Sequence, residues 1–515
     1  MTIFFSILLT IYLAFCPFLA AAADDGDAAL FAQVVEQARA RAAQAYAPPS
    51  FQLPQPLAEL DYDSYRAIRF QTAQSLWRGQ GLFEIQFFHL GFLYYEPVLI
   101  HVVEDGTARP LPFAKEMFAY GKTDLKDQLP NELGFAGFRI HFPLHDPGYA
   151  DEVAVFLGAS YFRLVGRNQH YGVSARGLAI NTALPEGEEF PAFREFWLVK
   201  PSPDATSMTI YALLDSQSVT GAYCFRLVPG TETVLEVEAT LFARAGVKQL
   251  GIAPLTSMFF TGENQVRALD DYRPEVHDSD GLLMHNGTRE WIWRPLSNPR
   301  ELRVSSFVDE SPAGFGLLQR DRNFEHYLDL ESHFERRPNF WVEPRGAPWG
   351  KGAIRLVEIP VQEEIHDNIV AFWVPDQPLN AGESRTFAYC LRASPAPPLM
   401  TEPLGFVERT RSGWGAGSGA KDKPPRSLRR FIVDFTGGDA SVLSATQPVT
   451  ADLSVSAGVV SELLTQRLPD AAGWRTSFLL APDGATASDL RLFLTLQGKR
   501  LTEIWNYVWL ANDIE

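Results

Sequence analysis

Apolar and polar residues alternate over many short stretches of this chain, which is the spacing of β-strands. Phe83, Ile85 and Phe87 alternate with Glu84 and Gln86. Comparable short apolar runs contain Val153 and Val155, Tyr211 and Leu213, and Val234, Leu235 and Val237. Turn-forming clusters such as HDPG, PEGEE, PSPD and EDG separate the runs. Many short strands between turns predict a mainly β protein of the sandwich type, not a sheet of alternating strands and helices.

One segment near the N-terminus has helical periodicity instead. Leu30, Val34 and Ala38 recur at four-residue steps within residues 27–46, and a Pro-Pro pair follows. The spacing places the three side chains on one helical face, and the prolines end the helix. A single amphipathic helix therefore precedes the predicted strands.

A Pro-rich connector, SPAPPLMTEP at 394–403, divides the folded chain into two predicted units. Residues 24–393 form the predicted large β-sandwich. Residues 404–515 contain about seven short strands, which is typical of an immunoglobulin-like β-sandwich. These strands include FIVDF, LSVSA, TSFLLAPDG, LRLFLTLQG and EIWNYVWL.

The first 23 residues have the features of a signal peptide. An apolar run extends from Ile3 to Ala20, and Ala21 and Ala23 fit an A-x-A cleavage rule. We therefore expect cleavage near Ala23 and export to the periplasm. The n-region lacks Lys and Arg, so an uncleaved anchor helix is the alternative. Elsewhere no run approaches the ~20 apolar residues of a membrane span.

Composition excludes some classes of partner. The chain has 515 residues, 46% of them apolar, and 45 basic against 62 acidic residues give a net charge of −17. Nucleic acids and anionic lipids bind clustered Lys and Arg, so we expect neither as a partner. Of the three cysteines, Cys16 lies in the leader, and no CxxC pair occurs. Cys224 and Cys390 either form a disulfide or are buried thiols.

Several short motifs do not support a cofactor or a metal ion. GWGAGSG at 413–419 lacks the strand, the GK[ST] sequence and the helix of a phosphate loop. Ser174 lies between glycines, but not in the GxSxG of a nucleophile elbow. His326 and His333 could share a helical face, yet the segment offers no third ligand. We predict neither a cofactor nor a metal site.

Carboxylates beside aromatic residues are the remaining candidates for chemistry. Asp278 and Asp280 lie in the turn-like stretch DYRPEVHDSDGL, and Asp367 precedes an apolar strand that contains Trp373. Glycoside cleavage needs one carboxylic acid and a second group that activates the attacking hydroxyl. A carboxyl group at the mouth of an apolar strand can have the raised pKa that a general acid requires. The alternative is that these aspartates only cap turns.

Long stretches of the chain resemble the periplasmic glucan biosynthesis proteins OpgG and OpgD, also called MdoG and MdoD. The resemblance extends from about residue 27 to the C-terminus. Its motifs include LGFAGFRI, GASYFRLVGRNQHYGVSARGLAINTALPEGEEFP, APLTSMFF, DYRPEVHDS, EWIWRPL, GFGLLQRDRNF and DNIVAFW. It implies a periplasmic protein that helps to make osmoregulated glucans with a β-1,2-linked glucose backbone. It also implies a large β-sandwich with a long glucan cleft, followed by a small immunoglobulin-like domain.

The resemblance also implies roles for individual residues. Members of the family are similar to inverting enzymes that cleave β-1,2-glucan. The Asp of the DNIVA(Y/F)W motif corresponds to Asp367 as general acid, and the Asp of the (L/V)HDS motif corresponds to Asp278 as base. The aromatic residues predicted to bind sugar rings are Trp373, Trp291, Trp293, Tyr161 and Trp414.

Two positions depart from the family pattern. His366 stands where relatives have Asn, and Phe334 stands where relatives have a Tyr that relays a proton to the base. Without that hydroxyl, activation of water is weakened, so a sugar hydroxyl could act as the acceptor. Attack from the opposite face would then give a new α-bond, and intramolecular attack would close a ring.

A second hypothesis makes no use of catalysis. The chain would be a glucan-binding scaffold that receives nascent glucan from a membrane glucosyltransferase. The sequence leaves a homodimer open, with Trp414 near a glucan cleft of the same or a neighbouring subunit. Asp367 discriminates the hypotheses, because an enzyme needs its carboxyl group and a pure binder does not.

Overall fold

The computed structural model describes residues 25–121, 125–265, 270–417, 419, 421, 423–469 and 472–513. The predicted signal peptide at 1–23 lies outside these residues. Within them, no helix combines the length and the apolar character needed to cross a membrane. The α-helices are α1 (Asp25–Ala42), α2 (Gln55–Ala58), α3 (Tyr62–Ala67) and α4 (Leu125–Gln128). Short 3-10 segments are Thr72–Gln74, Lys115–Met117, Phe324–His326, Phe334–Arg336, Asp439–Val442 and Ala511–Asp513.

Strands make up most of the regular structure, which confirms the predicted mainly β class. Those before residue 230 are β1 (Arg69–Phe70), β2 (Glu84–Phe88), β3 (Leu99–Glu104), β4 (Thr107–Pro110), β5 (Phe118–Ala119), β6 (Gly137–Asp146), β7 (Tyr149–Leu157), β8 (Tyr161–Leu164), β9 (Ser174–Arg176), β10 (Ala179–Ile180), β11 (Ala192–Val199), β12 (Met208–Asp215) and β13 (Val219–Val228). Those from 230 to 400 are β14 (Thr233–Ala243), β15 (Leu250–Ser257), β16 (Phe259–Thr261), β17 (Val276–His277), β18 (Gly281–His285), β19 (Trp291–Pro295), β20 (Arg303–Glu310), β21 (Gly314–Leu318), β22 (Asn339–Arg345), β23 (Lys351–Glu358), β24 (Ile369–Pro375) and β25 (Ser384–Ser394). The last strands are β26 (Phe406–Trp414), β27 (Arg429–Thr436), β28 (Thr450–Val455), β29 (Val459–Arg467), β30 (Gly473–Ala481), β31 (Ala487–Leu496), β32 (Lys499–Arg500) and β33 (Ile504–Leu510).

Two large sheets enclose the main core. The first has the order β2-β6-β7-β8-β9-β15-β24-β23-β20, with β10 beside β15. The second runs β28-β31-β33-β19-β18-β21-β22-β25-β14-β13-β12-β11-β3-β4, with β32 beside β31. Aromatic side chains join the sheets face to face: the Phe138 and Phe196 rings are 5.0 Å apart, and those of Phe156 and Phe225 are 5.3 Å apart. Burial of such large apolar surfaces drives the sheets together.

Helix α1 covers the outer face of the second sheet. Leu30, Val34 and Ala38 are buried against residues of β12 and β14, as their spacing predicted. The helix ends at Ala42, earlier than the predicted residue 46. The Arg244 guanidinium donates to the carbonyl oxygens of Arg41 and Gln44, which satisfies polar groups that the helix end leaves open.

The C-terminal strands form a second sandwich that shares a sheet with the first. One layer is β26-β27-β30-β29, and the other is β28-β31-β33. Strand β33 pairs in parallel with β19, so the second layer continues the large sheet. The connector predicted at 394–403 begins at the last residue of β25 and otherwise lies in the strand-free stretch before β26.

No disulfide joins Cys224 and Cys390. Cys224 lies on β13 and Cys390 on β25, and strand β14 separates them. Neighbouring strands lie about 4.8 Å apart, so two strand spacings exceed the reach of a disulfide. Both cysteines are therefore thiols in this structure and do not form a disulfide.

Candidate active site

Asp367 lies at the rim of the first sheet, and its neighbour Asn368 holds it there. The Asn368 side chain accepts from the Phe259 amide at 2.8 Å and donates to the carbonyl oxygens of Phe259 and Ile359, both at 3.0 Å. Its backbone amide donates to Ser257 at 3.0 Å. Asn368 is fully buried, whereas Asp367 is exposed. This local geometry fixes the backbone and presents the Asp367 carboxyl group to solvent.

The Asp367 carboxyl group has a raised pKa. Protein atoms crowd around it although solvent reaches it, and this partial burial disfavours the carboxylate. The positive charges of Arg163 and Arg176 lower the pKa again without cancelling the effect. A carboxyl group in this state holds its proton more readily than a free one, as a general acid must.

The pleat of β8 and β9 brings an aromatic ring and two cations to one face. Tyr161 is paired with Arg176, and Arg163 is two residues further along β8, on the same face. The Arg176 guanidinium lies 5.0 Å from the centre of the Tyr161 ring. Arg163 donates from Nε to Ser174 Oγ at 3.0 Å. A flat ring beside cations therefore adjoins Asp367.

Arg176 is held firmly. Its Nε donates to Thr256 Oγ1 at 3.0 Å, and its Nη1 pairs with Glu188 Oε1 at 2.6 Å. Thr182 donates to the same carboxylate at 2.7 Å. Because Arg176 is buried, these partners fix the guanidinium in place.

Tyr161 has a raised pKa, chiefly because it is partly buried. The negative charge of Asp367 raises the pKa further, so the phenol stays protonated beside the acid. Tyr161 is half-buried, which leaves part of its ring free to contact a ligand. Its position is compatible with the predicted sugar contact.

Asp278 follows β17 and is buried near Asp367. Its amide donates to Met258 O at 2.8 Å, and Arg337 Nε lies 3.2 Å from its Oδ1, without the geometry of a hydrogen bond. Burial raises the pKa of Asp278. The positive charges of Arg337 and Arg163 lower this pKa, and the negative charge of Asp367 raises it. The negative charge of Asp367 therefore reaches Asp278, so the fold brings the two aspartates predicted from the sequence near each other.

Phe334 lies in an apolar cluster next to Arg337, the residue whose guanidinium is close to Asp278. It is buried with Met258, Val276 and Tyr327, and its ring centre lies 5.1 Å from the Arg337 guanidinium carbon. No side-chain atom of Phe334 can accept or donate a proton. His366, the other departure, is exposed.

Comparison with known proteins gives the family. Residues 30–509 match the family model described as "Periplasmic glucan biosynthesis protein, MdoG". The chain belongs to this family. It is 46% identical over 484 residues to "Glucans biosynthesis protein G" of Rhodopseudomonas palustris, with 94% of each chain covered. It is 46% identical to the protein of that name in Vibrio cholerae serotype O1 (92% of this chain, 86% of the relative). It is 45% identical to "Probable glucans biosynthesis protein D" of Shewanella oneidensis (91% and 86%).

Family membership supports a role in periplasmic glucan biosynthesis and a periplasmic location. Asp278, Phe334, His366 and Asp367, which were named from the resemblance, all lie within the matched residues 30–509. Arg163, Arg176 and Arg337 were not among the predicted site residues. The sequence carries a signal for Arg163 and Arg176. In SYFRL and VSARG each Arg stands two residues after a Tyr or a Ser, the spacing of side chains on one face of a strand.

Three tryptophans predicted to bind sugar are buried instead. Trp373 is 0% exposed and lies between the sheets, with its ring centre 6.2 Å from that of Trp349. Trp291 and Trp293, on β19, pack into the core shared with the C-terminal strands. A sugar ring cannot stack on these side chains in this structure.

Trp414 ends strand β26 and packs on its own loop. Its Nε1 donates to the carbonyl oxygens of Pro424 and Pro425, and the Arg426 guanidinium carbon lies 4.3 Å from the ring centre. These contacts explain one Trp beside a Gly-rich segment. They give no support to the predicted contact with a glucan cleft.

A polar cluster beneath the C-terminal strands includes Glu275, Asp321 and His326, whose ligand-type atoms lie within 4.8 Å of one another. The Arg409 guanidinium already contacts Asp321 and His326, at 3.2 and 2.8 Å. A cation is thus supplied by the protein itself. His333 does not join this cluster, since its ring centre lies 4.8 Å from that of His170.

Proposed function

We propose that this protein acts on the β-1,2-glucan backbone as an inverting glycoside hydrolase or transglycosylase. One observation carries the proposal: Asp278 lies near enough to Asp367 for the negative charge of Asp367 to raise its pKa, and partial burial raises the pKa of Asp367 itself. Paired carboxyl groups of this kind are the minimal machinery for glycoside cleavage. The family's role in periplasmic glucan biosynthesis supplies the class of substrate.

Asp367 is the proposed general acid. Its proton passes to the glycosidic oxygen as the bond from that oxygen to the anomeric carbon breaks. The carboxylate that remains is stabilised by Arg163 and Arg176, the two cations that already act on it. Tyr161 contributes a ring face beside the acid.

Asp278 is the proposed base. It accepts the proton of the attacking hydroxyl, while the hydroxyl oxygen bonds to the anomeric carbon from the opposite face. Attack on a β-linkage from that face yields an α-product. The acceptor is water in hydrolysis and a glucan hydroxyl in transfer, and intramolecular transfer closes a ring.

The decisive experiment replaces the acid. The mature protein is incubated with linear β-1,2-glucan, and the products are analysed by mass spectrometry. Asp367→Asn keeps the size of the side chain but removes its proton, so we expect turnover to fall about 10²–10⁴-fold while glucan binding persists. Asp376→Asn is the matched control, because Asp376 is exposed at the opposite end of the same strand, β24.

Two outcomes would reject the catalytic assignment. Unchanged product formation by Asp367→Asn would remove this residue from the mechanism. Glucan binding without any product from the native protein would favour a scaffold that serves a membrane glucosyltransferase.

A further inference from the structure

A cavity of about 400 Å³ opens beside the candidate active site. Three segments form its walls: residues 93–98 after β2, the turn 158–159 between β7 and β8, and residues 190–194 at the start of β11. We call it the aromatic pocket and define it by Leu93, Tyr94, Tyr95, Phe190, Phe193 and Arg194. Its size lies within the range of cavities that bind small ligands.

The rim of the aromatic pocket exposes large apolar side chains. Leu93, Tyr95 and Phe190 are 65%, 50% and 54% exposed. Such a group on a soluble protein usually marks a binding surface. Arg194 and Glu96 form an ion pair in the pocket wall, so their charges compensate each other. An aromatic surface with compensated charge suits a neutral ligand with flat apolar faces, which describes a sugar ring.

The pocket adjoins the residues around Asp367. The Arg176 guanidinium carbon lies 5.6 Å from the Phe190 ring centre and 5.0 Å from that of Tyr161. On the other side, the positive charge of Arg163 acts on both Tyr94 and Asp367. Arg176 therefore contacts both Tyr161 beside Asp367 and Phe190 at the rim of the pocket.

The walls of the pocket are braced by the fold. Tyr94 packs on Tyr65 with ring centres 5.6 Å apart, and the Tyr65 hydroxyl donates to His89 O at 2.9 Å. The Phe193 amide donates to Ala159 O at 3.0 Å. Gly158, in the turn, has a φ of +79°, a left-handed conformation that favours glycine. A braced pocket binds with a small loss of conformational entropy.

We propose that the aromatic pocket binds a distal sugar unit of the same glucan chain whose linkage lies at Asp367. The inference rests on the proposed function, because it takes its ligand from that substrate. It makes the pocket a determinant of chain length: long glucans occupy it, and short oligosaccharides that span only the region of Asp367 do not.

Calorimetric binding of linear β-1,2-glucans of defined length tests the inference. All variants carry Asp367→Asn, so that chains are not consumed. Phe190→Ala combined with Tyr95→Ala should weaken binding of long chains at least about tenfold and leave short chains unchanged. Both side chains are exposed, so the thermal midpoint should not move. Tyr149→Ala is the matched control, since Tyr149 is 68% exposed at the start of β7 and does not line the pocket.

The outcomes separate this inference from the proposed function. An equal loss at every length, or no loss, overturns the distal site, and a change in self-association instead would make the patch a protein interface. Native protein that binds long glucan but forms no product refutes the catalytic proposal alone. Absence of any glucan binding by the Asp367→Asn protein refutes both.

Discussion

At the scale of single residues, Asp367 combines access to solvent with a raised carboxyl pKa. A fully buried acid could not reach a glycosidic oxygen, and a fully hydrated one would lose its proton well below neutral pH. The buried neighbour Asn368 anchors the backbone, while Asp367 itself lies at the rim. In the proposed mechanism, Arg163 and Arg176 stabilise the carboxylate that proton transfer leaves.

Phe334 determines the expected fate of the cleaved chain. In the proposed mechanism, its side chain cannot carry a proton to Asp278, so the activation of water is weakened, whereas a glucan hydroxyl held by the protein would gain effective concentration. We expect transfer to compete with hydrolysis and every new linkage to be α. Phe334→Tyr should increase reducing-end release relative to transfer, measured by mass spectrometry and a reducing-sugar assay.

One control tests whether the Tyr variant is folded, and one outcome would contradict the prediction. Phe334 is buried, so the thermal midpoint of the Tyr variant is compared with that of the native protein. Only linear products from the native protein, with one water incorporated per cleavage, would show another route of water activation.

At the scale of elements, strand register assembles the site. Pairing of Tyr161 with Arg176 places Arg163 opposite Ser174, and the four side chains share one face of β8 and β9. The opposite face carries core residues such as Phe162. Because side chains alternate with a period of two, a shift of one residue would move the whole set into the core. Burial of the apolar face therefore fixes the polar face.

Asn368 is the predicted weak point of this assembly. Asn368→Ala removes three side-chain hydrogen bonds, and it leaves the backbone N–H and C=O of buried Phe259 without these partners. We expect a loss of about 2–4 kcal/mol in the free energy of unfolding. Glucan turnover should fall as well, because the backbone that carries Asp367 loses its anchor. Denaturant unfolding and the product assay measure the two effects.

Asn380→Ala is the control for that substitution. Asn380 is exposed and bonds only to Glu383 nearby in the chain, so both measurements should stay close to native values. Full activity of Asn368→Ala at temperatures where it remains folded would show that Asp367 is positioned by other contacts.

At the scale of the whole molecule, a buried ion pair joins the two sandwiches. Arg320, after β21, contacts Glu503, before β33, through Nη1–Oε1 at 2.5 Å and Nη2–Oε2 at 3.0 Å. The guanidinium also lies 3.7 Å from the Trp293 ring centre, and Glu503 accepts from the Val407 amide at 2.8 Å. These contacts explain why Trp293 serves the junction and not the substrate.

Removal of one member of this pair should be costly. Glu503→Gln leaves the buried Arg320 charge without its counter-ion, and we expect a loss of about 3–5 kcal/mol in the free energy of unfolding. Replacement of both residues by Met should recover much of this loss, because no charge then stays buried. Denaturant unfolding distinguishes the cases. Equal stability of the single and double variants would mean that the charge is not the cause.

Local pattern in the sequence determined much of this protein. Alternation at Phe83, Ile85 and Phe87 gave the strand, four-residue spacing gave helix α1, and the family motifs pointed to Asp278 and Asp367. The predictions of the strand and of helix α1 succeed because periodicity reflects which face of an element is buried, whatever lies opposite. The roles of Asp278 and Asp367 stay predictions. The class of fold and the family follow from such patterns over the length of the chain.

Tertiary structure alone decided which apolar face meets solvent and which distant residues become neighbours. Trp373 lies in a strand whose residues are all apolar, so the pattern did not show which face would be open, and the second sheet covers it. Trp291 and Trp293 are covered by the C-terminal strands. Arg176 and Arg163 became neighbours of Asp367 only when β8 and β9 joined the sheet that contains β24. Contacts between residues about 200 positions apart depend on the pairing of whole sheets, which no local window of the sequence contains.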